Sequence, residues 1–158
     1  MILFIKSGGR SMPIENVYQP EIININNKLR LRKFDGEYSF AFEWYQDEET
    51  IKLVDGLGAK RYDFNKLKRM YEYLNNKGEL YYIEILDDQK FVPIGDVTFW
   101  KEDMPIVIGN KNYCCKGIGK KVIKVLLEGT KELGYKEIKV REIYTYNIAS
   151  QKLFEGMG

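Results

Sequence analysis

From Met104 to Lys121 the chain reads as a short apolar run, Met104 to Gly109, followed by a six-residue loop, Asn110 to Cys115. Lys116-Gly117-Ile118-Gly119-Lys120-Lys121 then opens a periodic apolar stripe. A strand feeding a glycine-containing turn at a helix N-terminus suits an anion. The first-turn N–H groups of a helix lack intrahelical partners, and the helix dipole favours negative charge there. Gly117 and Gly119 let the backbone approach such an anion without a Cβ in the way. Lys116, Lys120 and Lys121 stand where lysines are otherwise misplaced, and a bound polyanion would give them a purpose.

Two better-known phosphate turns do not fit. The P-loop pattern GxxxxGKS/T fails because Cys114 stands where its first glycine belongs and Lys121 follows Lys120. The dinucleotide pattern GxGxxG fails because Val122 holds its last glycine position. An acyl-CoA turn remains, with a plain tight turn as the simpler alternative. The chain has no histidine, which excludes Ser-His-Asp and Cys-His nucleophile systems and HExxH zinc sites. Proton transfer must fall to Asp, Glu, Tyr, Lys, Cys or water. No metal is expected.

The elements that must hold this turn follow from periodicity and punctuation. Residues 1–27, with Gly8-Gly9, Pro13 and Pro20, read as an irregular segment, and 28–158 as one domain. Lys28 to Phe34 alternates like a strand and Asp35-Gly36 ends it. Tyr38 to about Val54 reads as helix, broken near Asp47, with Trp44-Tyr45-Gln46-Asp47 at the break. Asp63 is an N-cap for a stripe of Phe64, Leu67, Tyr71 and Leu74 that stops before Gly78. Leu80 to Leu86 and Phe91 to Trp100 form a hairpin about Asp87-Asp88-Gln89-Lys90, with Gly95 as a bulge. Met104 to Gly109 is a third strand. Ile118, Val122, Ile123, Leu126, Leu127 and Leu133 mark a helix face that ends at Gly134. Tyr135 to Tyr144 is a further strand, and Ala149 to Gly156 a last short helix. A strand-helix-strand crossover makes the last two strands parallel neighbours. The class is α+β, with a mixed, mostly antiparallel central sheet flanked by helices.

The bulk composition bounds partners. A net charge of +2 on 158 residues makes no strong claim on nucleic acid or membrane. Cys114 and Cys115 are the two cysteines, and neighbours rarely bridge, which suits a reducing, cytoplasmic setting.

The run Cys114-Cys115-Lys116-Gly117-Ile118-Gly119 resembles the Arg/Gln-x-x-Gly-x-Gly/Ala pyrophosphate motif of the GNAT acetyltransferases. Asn147-Ile148-Ala149-Ser150-Gln151-Lys152-Leu153-Phe154-Glu155-Gly156-Met157-Gly158 is similar to that family's second signature, an Asn before a short helix ending in Met-Gly or Leu-Gly. One helix and one strand separate the two, as in that family. The likeness is clearest from Gly78 to Gly158 and looser from Lys28 to Lys77.

The resemblance implies a GNAT fold whose strands at Ile108 and Val140 splay apart into an acyl-CoA cleft. It implies N-acetyl transfer from acetyl-CoA to a primary amine of a small molecule or peptide, by direct attack in a ternary complex. Backbone N–H groups of Cys115, Lys116, Gly117, Ile118, Gly119 and Lys120 would cradle the pyrophosphate. Main-chain groups of Val107 and Ile108 would pair with the pantetheine arm, and Asn147 would hold it from the opposite wall, near Phe154. Asp103 and Glu142, with Asp96 as a third candidate, could serve as general base, and Tyr144 as acid; the simpler reading of each carboxylate is a solvated strand end, and of Tyr144 an ordinary core tyrosine. Cys114 replaces the motif's Arg or Gln, and Phe154 replaces a tyrosine that protonates the leaving thiolate in many members. Those two departures suit an alternative, a non-catalytic acyl-CoA-binding GNAT-like module; a nucleotide-binding regulatory domain is a third reading. Members of the family continue with two more strands past this last helix, so the resemblance implies a truncated C-terminal end whose open sheet edge invites a homodimer.

Overall fold

The computed structural model describes residues 5–6, 17–100, 102–132 and 155. Seven strands lie among them: β1 (Ile5–Lys6), β2 (Val17–Tyr18), β3 (Ile22–Asn24), β4 (Leu29–Lys33), β5 (Glu79–Asp87), β6 (Lys90–Phe99) and β7 (Ile106–Ile108). The helices are α1 (Glu48–Asp55), α2 (Phe64–Lys77) and α3 (Ile118–Glu132), with 3-10 helices at Ser39–Gln46 and Lys111–Tyr113. β3 to β7 form one five-stranded sheet in sequence order, and every pairing in it is antiparallel.

Period-two alternation sorts the sheet's side chains between two cores. On one face Leu29, Leu31, Tyr81, Ile83, Val97 and Phe99 meet Ile118, Val122, Ile123 and Leu126 of α3. On the other, Leu80 and Tyr82 meet an aromatic-rich layer of Trp44, Tyr45, Tyr62 and Tyr71 from the Ser39–Gln46 helix, the segment before α2, and α2 itself. Capping fixes where the helices start. Asp63 accepts from the Lys66 N–H at 2.7 Å, and Asp47 accepts from both the N–H and the hydroxyl of Thr50 at 2.9 Å.

Several expectations need correction. Residues 1–27 are not wholly irregular: β3 lies inside that span and pairs with β4, Ile23 opposite Leu31, because Asn26 and neighbouring residues turn the chain back (the Ile25 and Asn26 N–H groups both donate to Leu29 O). The first helical region does break at Asp47, but its first half is 3-10 rather than α-helix. The bulge in β6 falls at Ile94, between the pairs Ile83–Gly95 and Glu84–Pro93. Gly95 has another task, since a Cβ there would run into the carbonyl oxygen of Val107 on β7. The strand predicted over Tyr135 to Tyr144, its parallel pairing, the splay at Val140 and the last helix lie outside the described residues. Among the described residues no helix is long and apolar enough to cross a membrane.

Candidate functional site

β7 is the terminal strand of the sheet among the described residues, so one of its edges faces β6 and the other faces no described strand. Two glycines set it close to its neighbours. Gly95 allows β6 and β7 to approach where Asp96 pairs with Val107 and Gly95 with Ile108. Gly109, at the end of β7, carries the indole of Trp44 on the face where a Cβ would stand. The N–H groups of Gly109 and Asn110 both donate to the bulge carbonyl of Ile94, at 2.9 and 3.0 Å. The bulge therefore anchors the point at which the strand becomes the loop.

The loop is ordered by short local contacts. Asn110 accepts from the Asn112 N–H at 3.0 Å and opens the Lys111–Tyr113 turn. Lys111 reaches to the start of α1, where its Nζ lies 2.8 Å from Asp47 and 3.3 Å from Glu49. Burial works against ionisation of Asp47, yet the Lys111 ammonium and the Thr50 donors outweigh it and hold its pKa below the usual value. The same two carboxylates raise the pKa of Lys111. Cys114 directs its thiol toward the carbonyls of Ile108 and Asn110, at 3.5 and 3.8 Å, and burial pushes that thiol's pKa up.

The turn that opens α3 is tightly curled. Cys115 and Gly117 both adopt positive φ, 61° and 76°, so the backbone curls sharply on either side of Lys116, as it does in concave clusters of N–H groups. A left-handed residue is routine for glycine and uncommon for cysteine. Among the described residues no atom beyond its chain neighbours lies within 4 Å of the position a Gly117 Cβ would take. The Lys121 N–H closes onto Gly117 O at 3.2 Å, and the amides of Ile118, Gly119 and Lys120 precede it, in the part of the helix without intrahelical acceptors. Ile118 is buried and pins the first turn of α3 to the sheet, while Lys116, Lys120 and Lys121 are exposed. Cys115, Lys116, Gly117, Ile118, Gly119 and Lys120 thus form one continuous turn into α3, joined to β7 by the loop over residues 109–114.

The catalytic candidates fare differently. Asp103 sits before β7, at the opposite end of that strand from the turn, in a tight bend where Trp100 and Asp103 bridge. Its carboxylate accepts from the adjacent Met104 N–H at 2.9 Å. Asp96 is 2% exposed and points away from solvent. Glu142, Tyr144, Asn147 and Phe154 lie outside the described residues. Among the described residues no cluster of three or more His, Cys, Asp or Glu side chains is arranged to hold a metal ion.

Residues that sequence reasoning undervalued are Trp44, Gly95 and Gly109. They share no local motif. The one signal in the sequence was the Trp44-Tyr45-Gln46-Asp47 run, which could equally have been a sheet cap.

No protein-family model matches this sequence, and no curated protein matches it either. Solved structures do. A domain from Methanocaldococcus jannaschii DSM 2661 superposes with a TM-score of 0.70 at 21% identity, over 84% of this chain and 88% of that one. The GNAT-family acetyltransferase from Bacillus anthracis superposes with a TM-score of 0.65 at 17% identity, over 87% and 82%. A protein assigned to the GNAT acetyltransferases from Bordetella pertussis gives 0.55 at 12% identity, over 88% of each chain. At such identities the likeness speaks for the fold: this chain has the fold of the GNAT acetyltransferases.

Proposed function

We propose that the chain is an acetyl-CoA-dependent N-acetyltransferase, with the pyrophosphate on the turn from Cys115 to Lys120 and a primary amine as acceptor. The observation that carries this reading is the junction of β7 and α3: an edge without a described partner strand leads, through a short loop, into a left-handed turn with no described atom over Gly117, at a helix start whose first amides lack intrahelical acceptors. Acetyl-CoA, when bound, supplies an acetyl group already activated as a thioester. This chain's residues supply the rest. Amides of Ile118, Gly119 and Lys120 bind the diphosphate, and the three lysines neutralise its charge. Main-chain groups of Val107 and Ile108 on the open edge of β7 align an amide-rich arm as a further strand would.

An arm held this way runs back along β7 from the turn toward the Asp103 end. A carboxylate there, or a water held by it, would take the proton that an ammonium acceptor must lose before it can attack. Asp103 is the described candidate, and Glu142 and Tyr144 remain the proposed partners from the later strand. The acceptor is a small-molecule or peptide amine and the setting cytoplasmic, with a homodimer as the proposed assembly.

A second reading, an acyl-CoA-binding module without turnover, is favoured by two sequence facts: Cys114 in place of Arg or Gln and Phe154 in place of tyrosine. The test is release of free CoA from acetyl-CoA in the presence of a panel of primary amines. Amine-dependent release that is lost in Gly119→Glu supports the transferase. Binding without release for any amine supports the module.

A further inference from the structure

Asp96 lies at the centre of the aromatic layer. It stands on β6 directly opposite Val107 of the cofactor strand on one side and Tyr82 of β5 on the other. One of its carboxylate oxygens accepts from the hydroxyl of Tyr71 at 2.9 Å and from that of Tyr45 at 3.1 Å. Tyr45 is fully buried, and it is the neighbour of Trp44, whose indole covers Gly109. Both residues belong to the Ser39–Gln46 segment, which is 3-10 helix for eight residues. Runs of that length are uncommon, because 3-10 hydrogen bonds are poorer than α-helical ones, and such stretches often mark hinges.

The segment is therefore held in place by side chains more than by its own backbone. Tyr45 is tied to Asp96, Gln46 donates to Tyr62 O at 2.7 Å, and Trp44 packs on Gly109. We propose that Asp96 is a positioning residue: through Tyr45 it sets how the Ser39–Gln46 wall lies on the end of the cofactor strand, and its ionisation loosens that wall.

The sign follows from the surroundings. Among the described residues, the titratable groups facing Asp96 are phenols: Tyr45 from the 3-10 helix, Tyr71 from α2, Tyr82 from β5, and Tyr62 behind Tyr45. β7 presents Val107. Glu84, further along β5, is occupied by Arg30 and Arg32, at 2.8 and 3.0 Å. No cation is hydrogen-bonded to Asp96 among the described residues, so burial pushes its pKa from 3.8 to about 6, with the Tyr71 and Tyr45 hydroxyls opposing that rise. In an opened wall Asp96 meets water and returns toward its ordinary value. The closed wall thus prefers the neutral acid. Closure is strongest at low pH and weakens as pH rises through about 6.

This rests on the proposed transferase reading only for its consequence on catalysis; the wall itself is read without any cofactor. The experiment is hydrogen exchange of the Ser39–Gln46 amides in the full chain, corrected for intrinsic rates, at pH 5 and pH 7.5. The expected result is about tenfold more opening at pH 7.5 in the wild type. Asp96→Asn, which keeps the acceptor oxygen but is always neutral, is expected to stay protected at both pH values. Tyr45→Phe, which removes the tie between the segment and Asp96, is expected to open more than the wild type at both pH values. Equal protection of the wild type at the two pH values would overturn the proposal, as would Asp96→Asn loosening the wall at both. Should Asp96→Asn not fold, the pH dependence in the wild type and in Tyr45→Phe decides alone. Acetyl-CoA titration of the same samples separates the outcomes: lack of binding would refute the transferase reading and leave the exchange result standing.

Discussion

The indole of Trp44 occupies the space that any side chain on residue 109 would need, although 65 positions separate the two in the chain. This contact joins the wall of the aromatic layer to the end of the strand that leads toward the glycine turn before α3. Gly109→Ala must push the ring aside or shift β7. The expected cost is about 1–3 kcal/mol of stability, with weaker acetyl-CoA binding, measured by urea unfolding and by titration. A neutral Gly109→Ala would mean that the contact is loose.

Gly95→Ala is expected to be worse. The obstacle there is the Val107 carbonyl, part of the β7 backbone, which cannot rotate away as a side chain can. A loss of about 3 kcal/mol, at the upper end of the overpacking range, with displaced β7 amide resonances in NMR spectra, is the predicted outcome. A loss smaller than that of Gly109→Ala would contradict this ordering.

At Gly117 steric space and backbone conformation pull apart. Among the described residues a Cβ meets nothing within 4 Å, yet φ is 76°. Gly117→Ala should therefore cost only about 1–2 kcal/mol in stability, the ordinary penalty of a left-handed alanine. Gly117→Glu should abolish binding of an anionic ligand, because its charge enters the same open space. Thermal unfolding and ligand titration of both variants test the separation.

Asp47 offers a test with a defined pH window. Its folded pKa is held below the usual value by Lys111 and the Thr50 donors, against the effect of burial. Its contribution to stability is thus present above about pH 4 and lost as pH falls through the depressed folded value. Asp47→Ala should cost about 1 kcal/mol at pH 7, the usual value of an N-cap, and clearly less at pH 2.5. A cost independent of pH would show that the cap acts without its charge.

Much of the fold was readable because local chemistry decided it. Asp63 announced a helix start and became one; Asp47 broke the first helical region by capping the second half. The apolar stripe of α3 and the glycine turn before it were set by adjacent residues. The hairpin turn about Asp87-Asp88-Gln89-Lys90 was readable too, although its positive φ at both Asp88 and Gln89 has no glycine to advertise it. What was missed depends on partners distant in sequence. β3 was hidden within a segment punctuated by prolines and polar residues, since only its pairing with β4 makes it a strand. Trp44 on Gly109 and Asp96 among its phenols could not be read at all, since each contact spans distant parts of the chain. The glycine turn that opens α3 was legible in place, but the left-handed Cys115 was not.

The most direct test of the account is calorimetric titration of the chain with acetyl-CoA, with ATP and NAD as controls, repeated on Gly117→Glu and Gly119→Glu. The account predicts saturable binding of acetyl-CoA in preference to both nucleotides, and its loss in both variants while their unfolding stays cooperative. No acetyl-CoA binding by the folded wild type, or binding that survives both substitutions, would contradict it.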